Sequence, residues 1–249
     1  MTLSYDTDPD LLVGIQRATT KVLAELHRVC EELGIDYAVY GGTAIGAVRH
    51  KGFIPWDDDA DVCMPREDYE RFLEQAGAHL GPDFFLVGPR TSADYPTTFA
   101  VLGLAGTEFI STAARKRTFR MPIGVDVFPL DAMPQEAGSF RRQARRTWWW
   151  GRLLFLRGTP SPVTGLPFPL GLAASLVMHG VHWGLRGLRV TPRSLQLRWE
   201  RAARAFEGTD TPWLADYSTR RPQQWAVRRE EVFPAVCVPF EDITVRLPR

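Results

Sequence analysis

Residues 41–62 read GGTAIGAVRHKGFIPWDDDADV: two adjacent glycines, a short basic segment, and an acidic run ending in the pair Asp59 and Asp61. Before the glycines, residues 36–40 (DYAVY) have the apolar content of a short buried strand, and TAIGAVRH after them has the pattern of a short helix capped by Thr43. A strand, a glycine turn and a helix N-terminus bring unblocked backbone N–H groups and the positive end of a helix dipole to one point, where a phosphate can sit. Gly41 and Gly42 let that phosphate approach the backbone closely. Many strand-to-helix turns carry Gly-Gly for steric reasons alone, so the acids that follow decide the matter.

In DADVCM, residues 59–64, strand alternation places Asp59, Asp61 and Cys63 on one face and Ala60, Val62 and Met64 on the other. Carboxylates two residues apart on a strand face are separated by roughly 6–7 Å at Cα, close enough to converge on one divalent ion. Like charges held so near each other need a cation or a proton. The plain alternative is a solvated acidic turn, but Phe53, Ile54 and Trp56 precede these acids and Val62 and Met64 follow them. Asp57 shares the parity of the pair but precedes the regular strand, and Asp58 points the other way. Donors that are all oxygen favour Mg²⁺ or Mn²⁺ over zinc. A third carboxylate is then expected on another strand. PIGVDVFPLD, residues 122–131, supplies Asp126 between Val125 and Val127, which face away from it. Asp126 either completes the metal site or accepts a proton from an attacking hydroxyl. Asp131, past Pro129, suits a turn or a helix cap as well as a functional role.

Working outward, the apolar periodicity over residues 8–34 predicts an amphipathic helix with Asp8 or Asp10 as its cap and Gly34 at its end. Residues 65–81 form a second one, with Tyr69, Phe72, Leu73 and Leu80 inward, and strands are expected at 84–88, 98–105 and 107–112. Arg49 and Lys51 either reach the bound phosphates or are a solvated helix end, and His50 is equally open. Trp56 is assigned to the core, with stacking on a base as the alternative. ARKRTFR, residues 114–120, is either a phosphate-gripping loop or a basic hairpin tip.

The bulk composition is ordinary: 249 residues, 45% hydrophobic, 24% charged, and a formal net charge of +1 that points to no nucleic-acid partner. Three widely separated cysteines, Cys30, Cys63 and Cys237, argue for a reducing compartment and against structural zinc. The N-terminus carries acid in place of a basic, apolar leader, so the expected location is cytoplasmic. The second half differs in character. Between residues 141 and 204 there are twelve arginines and a single acid, Glu200, interleaved with TWWW and a long uncharged stretch. Prolines 162, 167 and 169 argue against one uninterrupted span. Two readings stay open: a helical lobe in peripheral contact with the inner face of a membrane, or a lobe covering the active site with buried tryptophans and solvated arginines.

The stretch YGGTAIGAVRHKGFIPWDDDADVCMPREDYERF, with GVDVFPLD about sixty residues later, resembles the LicD family of phosphotransferases, which includes the fukutin-related proteins. The likeness covers residues 20–132. It implies an α+β nucleotidyltransferase-like fold, a mixed sheet flanked by helices, here with an α-helical C-terminal lobe. The implied organisation is a catalytic core (1–133), a basic, aromatic-rich lobe (134–210) and C-terminal strands returning to the core (211–249). The resemblance further implies Mg²⁺- or Mn²⁺-dependent transfer of a substituted phosphate, phosphocholine-like or polyol phosphate, from a CDP-linked donor to a sugar or polyol-phosphate acceptor of a cell-surface polysaccharide. CMP would be released. Gly41, Gly42 and Thr43 match its donor-phosphate motif, with Arg49 and Lys51 nearby in sequence. Asp59 and Asp61 match its metal-binding pair, and Asp126 its third carboxylate. NMP transfer from an NTP, or a non-catalytic membrane-associated scaffold, are the alternatives. EEVFPAVCVPFEDITVRLP resembles a late family segment that is usually followed by a Y-G-D-like motif, which does not occur before Arg249.

Overall fold

The computed structural model describes residues 9–110, 119–160 and 166–249. Helix α1 (Pro9–Leu33) buries Leu12, Ile15, Val22, Leu26 and Val29 on one stripe, while Leu11 turns outward. Gly34, at φ 59°, ends it in the left-handed conformation that glycine adopts at least cost. Then follow β1 (Ala38–Val39), α2 (Gly41–His50), β2 (Ala60–Pro65), α3 (Arg66–Gln75), β3 (Phe84–Val87), β4 (Ala100–Leu104) and β5 (Gly124–Ala132).

The strands form a mixed sheet in the order β1-β2-β5-β4-β3, in which only β2 and β5 are parallel. Strand parity divides its faces. Val39, Val62, Leu102, Val125 and Val127 pack on α1 and on Phe72 of α3, forming the main core. On the other face Ala38, Cys63 and Leu130 are covered by Leu214, Val232 and Phe233 from the C-terminal part of the chain. The fold is therefore α+β, as the sequence implies.

After β5 come three helices, α4 (Ala137–Gly158), α5 (Leu170–Gly187) and α6 (Pro192–Ala203). Strand β6 (Trp213–Ala215) then pairs with the end of β5, β7 (Val227–Arg228) pairs with β6, and α7 (Arg229–Val232) leads to a hairpin of β8 (Val236–Phe240) and β9 (Ile243–Leu247). The hairpin places Phe240 and Val245 in the main core, and Arg246 reaches Glu31, Asp36 and the ring of Tyr37. A buried two-pronged ion pair, Arg66 Nε and Nη2 to the Asp131 carboxylate at 2.7 and 2.6 Å, ties α3 to β5. Asp131 is thus structural.

Three expectations change. Over 107–112 the described residues hold one isolated bridge, Phe109 to Met121, in place of a strand; residues 111–118, most of the basic ARKRTFR segment among them, lie outside the described part. Trp56 is 70% exposed, because the turn that delivers the acids carries its ring out to solvent. Thr43 does not cap α2: the helix starts at Gly41 with Tyr40 as N-cap and no capping side chain.

Candidate active site

Asp61 lies directly opposite Asp126 across the parallel β2–β5 ladder. Neighbouring strands are about 4.8 Å apart, so both carboxylates leave the same sheet face as close neighbours. The Asp61 backbone is held on both sides: its N–H donates to Thr43 Oγ1 at 2.8 Å, and its carbonyl accepts from the N–H of Tyr40 at 2.9 Å. This is what Thr43 does, and it locks the start of α2 to the acidic strand. Asp57 is fixed through its carbonyl, which accepts from Gln16 Nε2 of α1 at 2.9 Å.

Both glycines sit against the acids. Gly41 has φ 54°, and a Cβ there would lie 3.3 Å from Asp61 Oδ2; a Cβ on Gly42 would lie 2.7 Å from Asp57 Oδ2. The turn is glycine because the backbone is left-handed at Gly41 and because carboxylates pack against it. Uncapped helical N–H groups thereby face a carboxylate cluster, a junction suited to a phosphate that brings a cation with it. Arg49 and Lys51 are exposed at the opposite end of α2, about 12 Å along its axis from Gly41, so the structure does not bring them to the turn. His50 is exposed beside them.

The electrostatics follow from crowding. Burial pushes the Asp61 carboxyl up to about 9, with further contributions from the charges of Asp126, Asp59, Asp57 and Asp216. Burial and then Asp59 push Asp126 up to about 8. Asp57 is raised to about 6 by burial and then by Asp59, and Asp59 is raised by burial and then by Asp58. Among the described residues, oxygens of Asp57, Asp58 and Asp59 lie within 4.8 Å of one another. Asp61 and Asp126 are not in that group; Asp59, just before the ladder, is linked to them by the charge it exerts on both. Asp59 and Asp126 also line a cavity of about 160 Å³ closed by Ile15, Val101 and Met121.

The segment that carries this constellation resembles known proteins. Residues 34–134 match the family model described as LicD/FKTN/FKRP, nucleotidyltransferase domain. The segment is similar to LicD-family domains. Lipopolysaccharide cholinephosphotransferase LicD of Haemophilus influenzae is 35% identical over 125 residues, 49% of this chain and 44% of that protein. Ribitol 5-phosphate transferase FKRP of Homo sapiens is 40% identical over 53 residues, 21% of this chain and 11% of that protein. The chain thus spans less than half the length of these curated relatives. The matched segment holds the glycine turn, Asp59, Asp61 and Asp126.

A fourth carboxylate comes from outside the matched segment. Asp216, directly after β6, is completely buried; its Oδ1 accepts from Ser218 N–H at 2.7 Å and Ser218 Oγ at 2.6 Å. Its Oδ2 and the buried hydroxyl of half-buried Tyr40 act on each other but meet no partner in full hydrogen-bond geometry among the described residues. Burial pushes Asp216 up to about 6, opposed by the Ser218 bonds, and its charge in turn acts on Asp61. LADYS, an aspartate ending an apolar strand with serine two residues on, is the signal that marks it in the sequence.

Proposed function

We propose that this chain transfers a substituted phosphate, phosphocholine-like or polyol phosphate, from a CDP-activated donor to a sugar or polyol-phosphate acceptor and releases CMP. One observation carries the proposal: within a segment similar to LicD-family domains, Asp61 stands opposite Asp126 beside the glycine start of α2, and the charge of Asp59 acts on both. The residues also fit Mg²⁺ or Mn²⁺. Carboxyls pushed up to about 9 and 8 by burial and mutual charge do not ionise together at neutral pH without a cation among them, and the donors are all oxygen. Asp59, Asp61 and Asp126 would hold the ion, which when bound supplies Lewis-acid neutralisation of the pyrophosphate.

The chain's own residues supply the rest. Gly41 and Gly42 and the first-turn N–H groups of α2 seat the donor phosphates. Thr43 keeps the Asp61 backbone in register with that seat. As the acceptor hydroxyl oxygen bonds to the transferred phosphorus, the bond to the CMP oxygen breaks. The hydroxyl proton leaves to water, because Asp126 is committed to the ion. Arg49 and Lys51, at the far end of α2, take no part in this step. A pocket of about 280 Å³ beside Asp216, lined by Thr97, Thr98, Ser218, Thr219, Arg152 and Arg220, offers hydroxyl and guanidinium groups suited to a phosphorylated glycan acceptor. A cytoplasmic location and a cell-surface glycan as the end product belong to the same proposal.

The test is thermal-shift binding of CDP-choline, CDP-ribitol, CDP-glycerol and CTP, each with and without Mg²⁺. Mg²⁺-dependent binding of a CDP-alcohol is expected. Binding of CTP alone would favour nucleotidyl transfer, and no nucleotide binding at all would favour a scaffold.

A further inference from the structure

Helix α5 turns an apolar face to solvent. Of its 18 residues only His182 is buried, with its Nδ1 2.8 Å from the Leu156 carbonyl of α4. The outward stripe recurs at helical spacing: Leu172, Leu176 (64% exposed), Val177 (66%) and Trp183 (62%), with Phe168 before the helix and Leu188 after it. Four large exposed side chains on one helix face, with Phe168 and Leu188 exposed at its ends, form the kind of apolar patch that marks an interface.

Arginines frame the stripe. Arg152 of α4 reaches Met178, Arg186 lies over the Trp183 ring at 5.9 Å, and Arg189 follows the helix. None of the three forms an ion pair among the described residues; burial, and then Arg186, lowers the pKa of neighbouring Arg157, with Asp94 opposing. Contacts from Arg152 to Met178 and from Leu156 to His182 are both 26 residues apart in sequence, so α4 and α5 run side by side in one direction. Trp148 and Trp149, exposed one turn before Arg152, therefore flank the same stripe.

We infer that this face seats on an anionic lipid bilayer, with Leu172, Leu176, Val177 and Trp183 in the headgroup–acyl boundary and Arg152, Arg186 and Arg189 on lipid phosphates. A second copy of the chain fits poorly, because a two-fold interface would set this arginine frame against itself. An anionic membrane supplies both an apolar interior and negative headgroups, and tryptophan belongs at the boundary between them. No described helix is long and apolar enough to cross a membrane, so α5 lies on the surface. Trp148 and Arg152 also line the 280 Å³ pocket, which joins this face to the acceptor seat proposed above.

The experiment is co-sedimentation of the full chain with phosphatidylcholine vesicles, with and without phosphatidylglycerol, alongside light scattering for oligomeric state. Binding is expected only with phosphatidylglycerol, weakened by salt and reduced roughly fivefold for each of Arg152, Arg186 and Arg189 changed to Gln. Leu176→Asp with Val177→Asp, at sites already exposed, should leave the circular dichroism spectrum unchanged and cut binding by about tenfold or more. The inference is overturned by undiminished binding of that double variant, by equal binding to both vesicle types, or by no vesicle binding. A dimer that the double variant dissociates, with no vesicle binding, would assign the face to a second copy. Because no nucleotide is present, none of these outcomes depends on the catalytic proposal.

Discussion

Asp61→Asn separates stability from function at the acidic cluster. The Asp61 carboxyl is pushed up to about 9 from an ordinary value of 3.8 by burial and then by the charges of Asp126, Asp59, Asp57 and Asp216. A carboxyl whose folded value lies above its unfolded value favours the folded state fully below pH about 4, and that contribution is lost as pH rises toward 9. At neutral pH the interval from 3.8 spans about three units at about 1.4 kcal/mol each, an upper bound of about 4 kcal/mol. Part of the cost is shared with Asp126, so a neutral amide at position 61 recovers about 2 kcal/mol in the absence of metal. For a chain of this size that is a rise of about 4–8 °C in Tm at pH 7.5, shrinking to under half at pH 5. With saturating Mg²⁺ the order reverses: the wild type gains roughly 2–3 kcal/mol by linkage at about a hundred times Kd, and Asp61→Asn gains little. Thermal melts in EDTA and in Mg²⁺ at both pH values measure all of this. A metal-free Asp61→Asn protein that melts below the wild type at pH 7.5, or an offset that does not change with pH, refutes the reasoning.

Other positions give independent checks. Arg66→Ala strands the Asp131 carboxylate in the interior and should cost about 3–5 kcal/mol in urea denaturation. Gly46→Ala places a Cβ 2.4 Å from the Gly52 carbonyl oxygen and 3.1 Å from the Ile54 nitrogen, both backbone atoms of the loop leading to Asp57; it should cost about 1–3 kcal/mol and weaken Mn²⁺ binding in calorimetry. Gly14→Ala, with nothing within 4 Å, should stabilise α1 by up to about 1 kcal/mol in the same assay. Thr43→Val removes the acceptor for the Asp61 N–H and should cost about 1–3 kcal/mol by thermal melt, with a matching loss of Mg²⁺-induced stabilisation.

The pattern of what could be read from the chain has physical causes. Asp61 and Asp126 were legible because buried strands alternate with period two, so an acid among valines has one face to go to, and the parallel register sets the two side by side. Helix α1 follows from its 3.6-residue apolar period, whereas the mixed sheet is expected only from the resemblance. Thr43 reads as a cap in the sequence because local spacing cannot reveal a partner eighteen residues on. Asp216 reaches the site only because β6 pairs with the end of β5, a contact spanning some eighty residues that no local pattern encodes. The apolar neighbours of Trp56 point it inward in the sequence, but the turn that aims Asp57–Asp59 carries its ring out. The tryptophans of residues 148–150 look alike in sequence; packing on α6 half-buries Trp150, stacked by Arg198, and leaves Trp148 and Trp149 exposed.

The central claim is that Asp59, Asp61 and Asp126 form a cation site that breaks a CDP-linked pyrophosphate. Its most direct measurement is ³¹P NMR of the CDP-alcohol selected by binding, incubated with the chain, Mg²⁺ and a polyol-phosphate acceptor. The expected result is conversion of the pyrophosphate signals into CMP and a phosphodiester, abolished by EDTA and reduced on the order of a thousandfold in Asp61→Asn and Asp126→Asn. Equal turnover by wild type and both folded variants, or turnover that persists in EDTA, would contradict it.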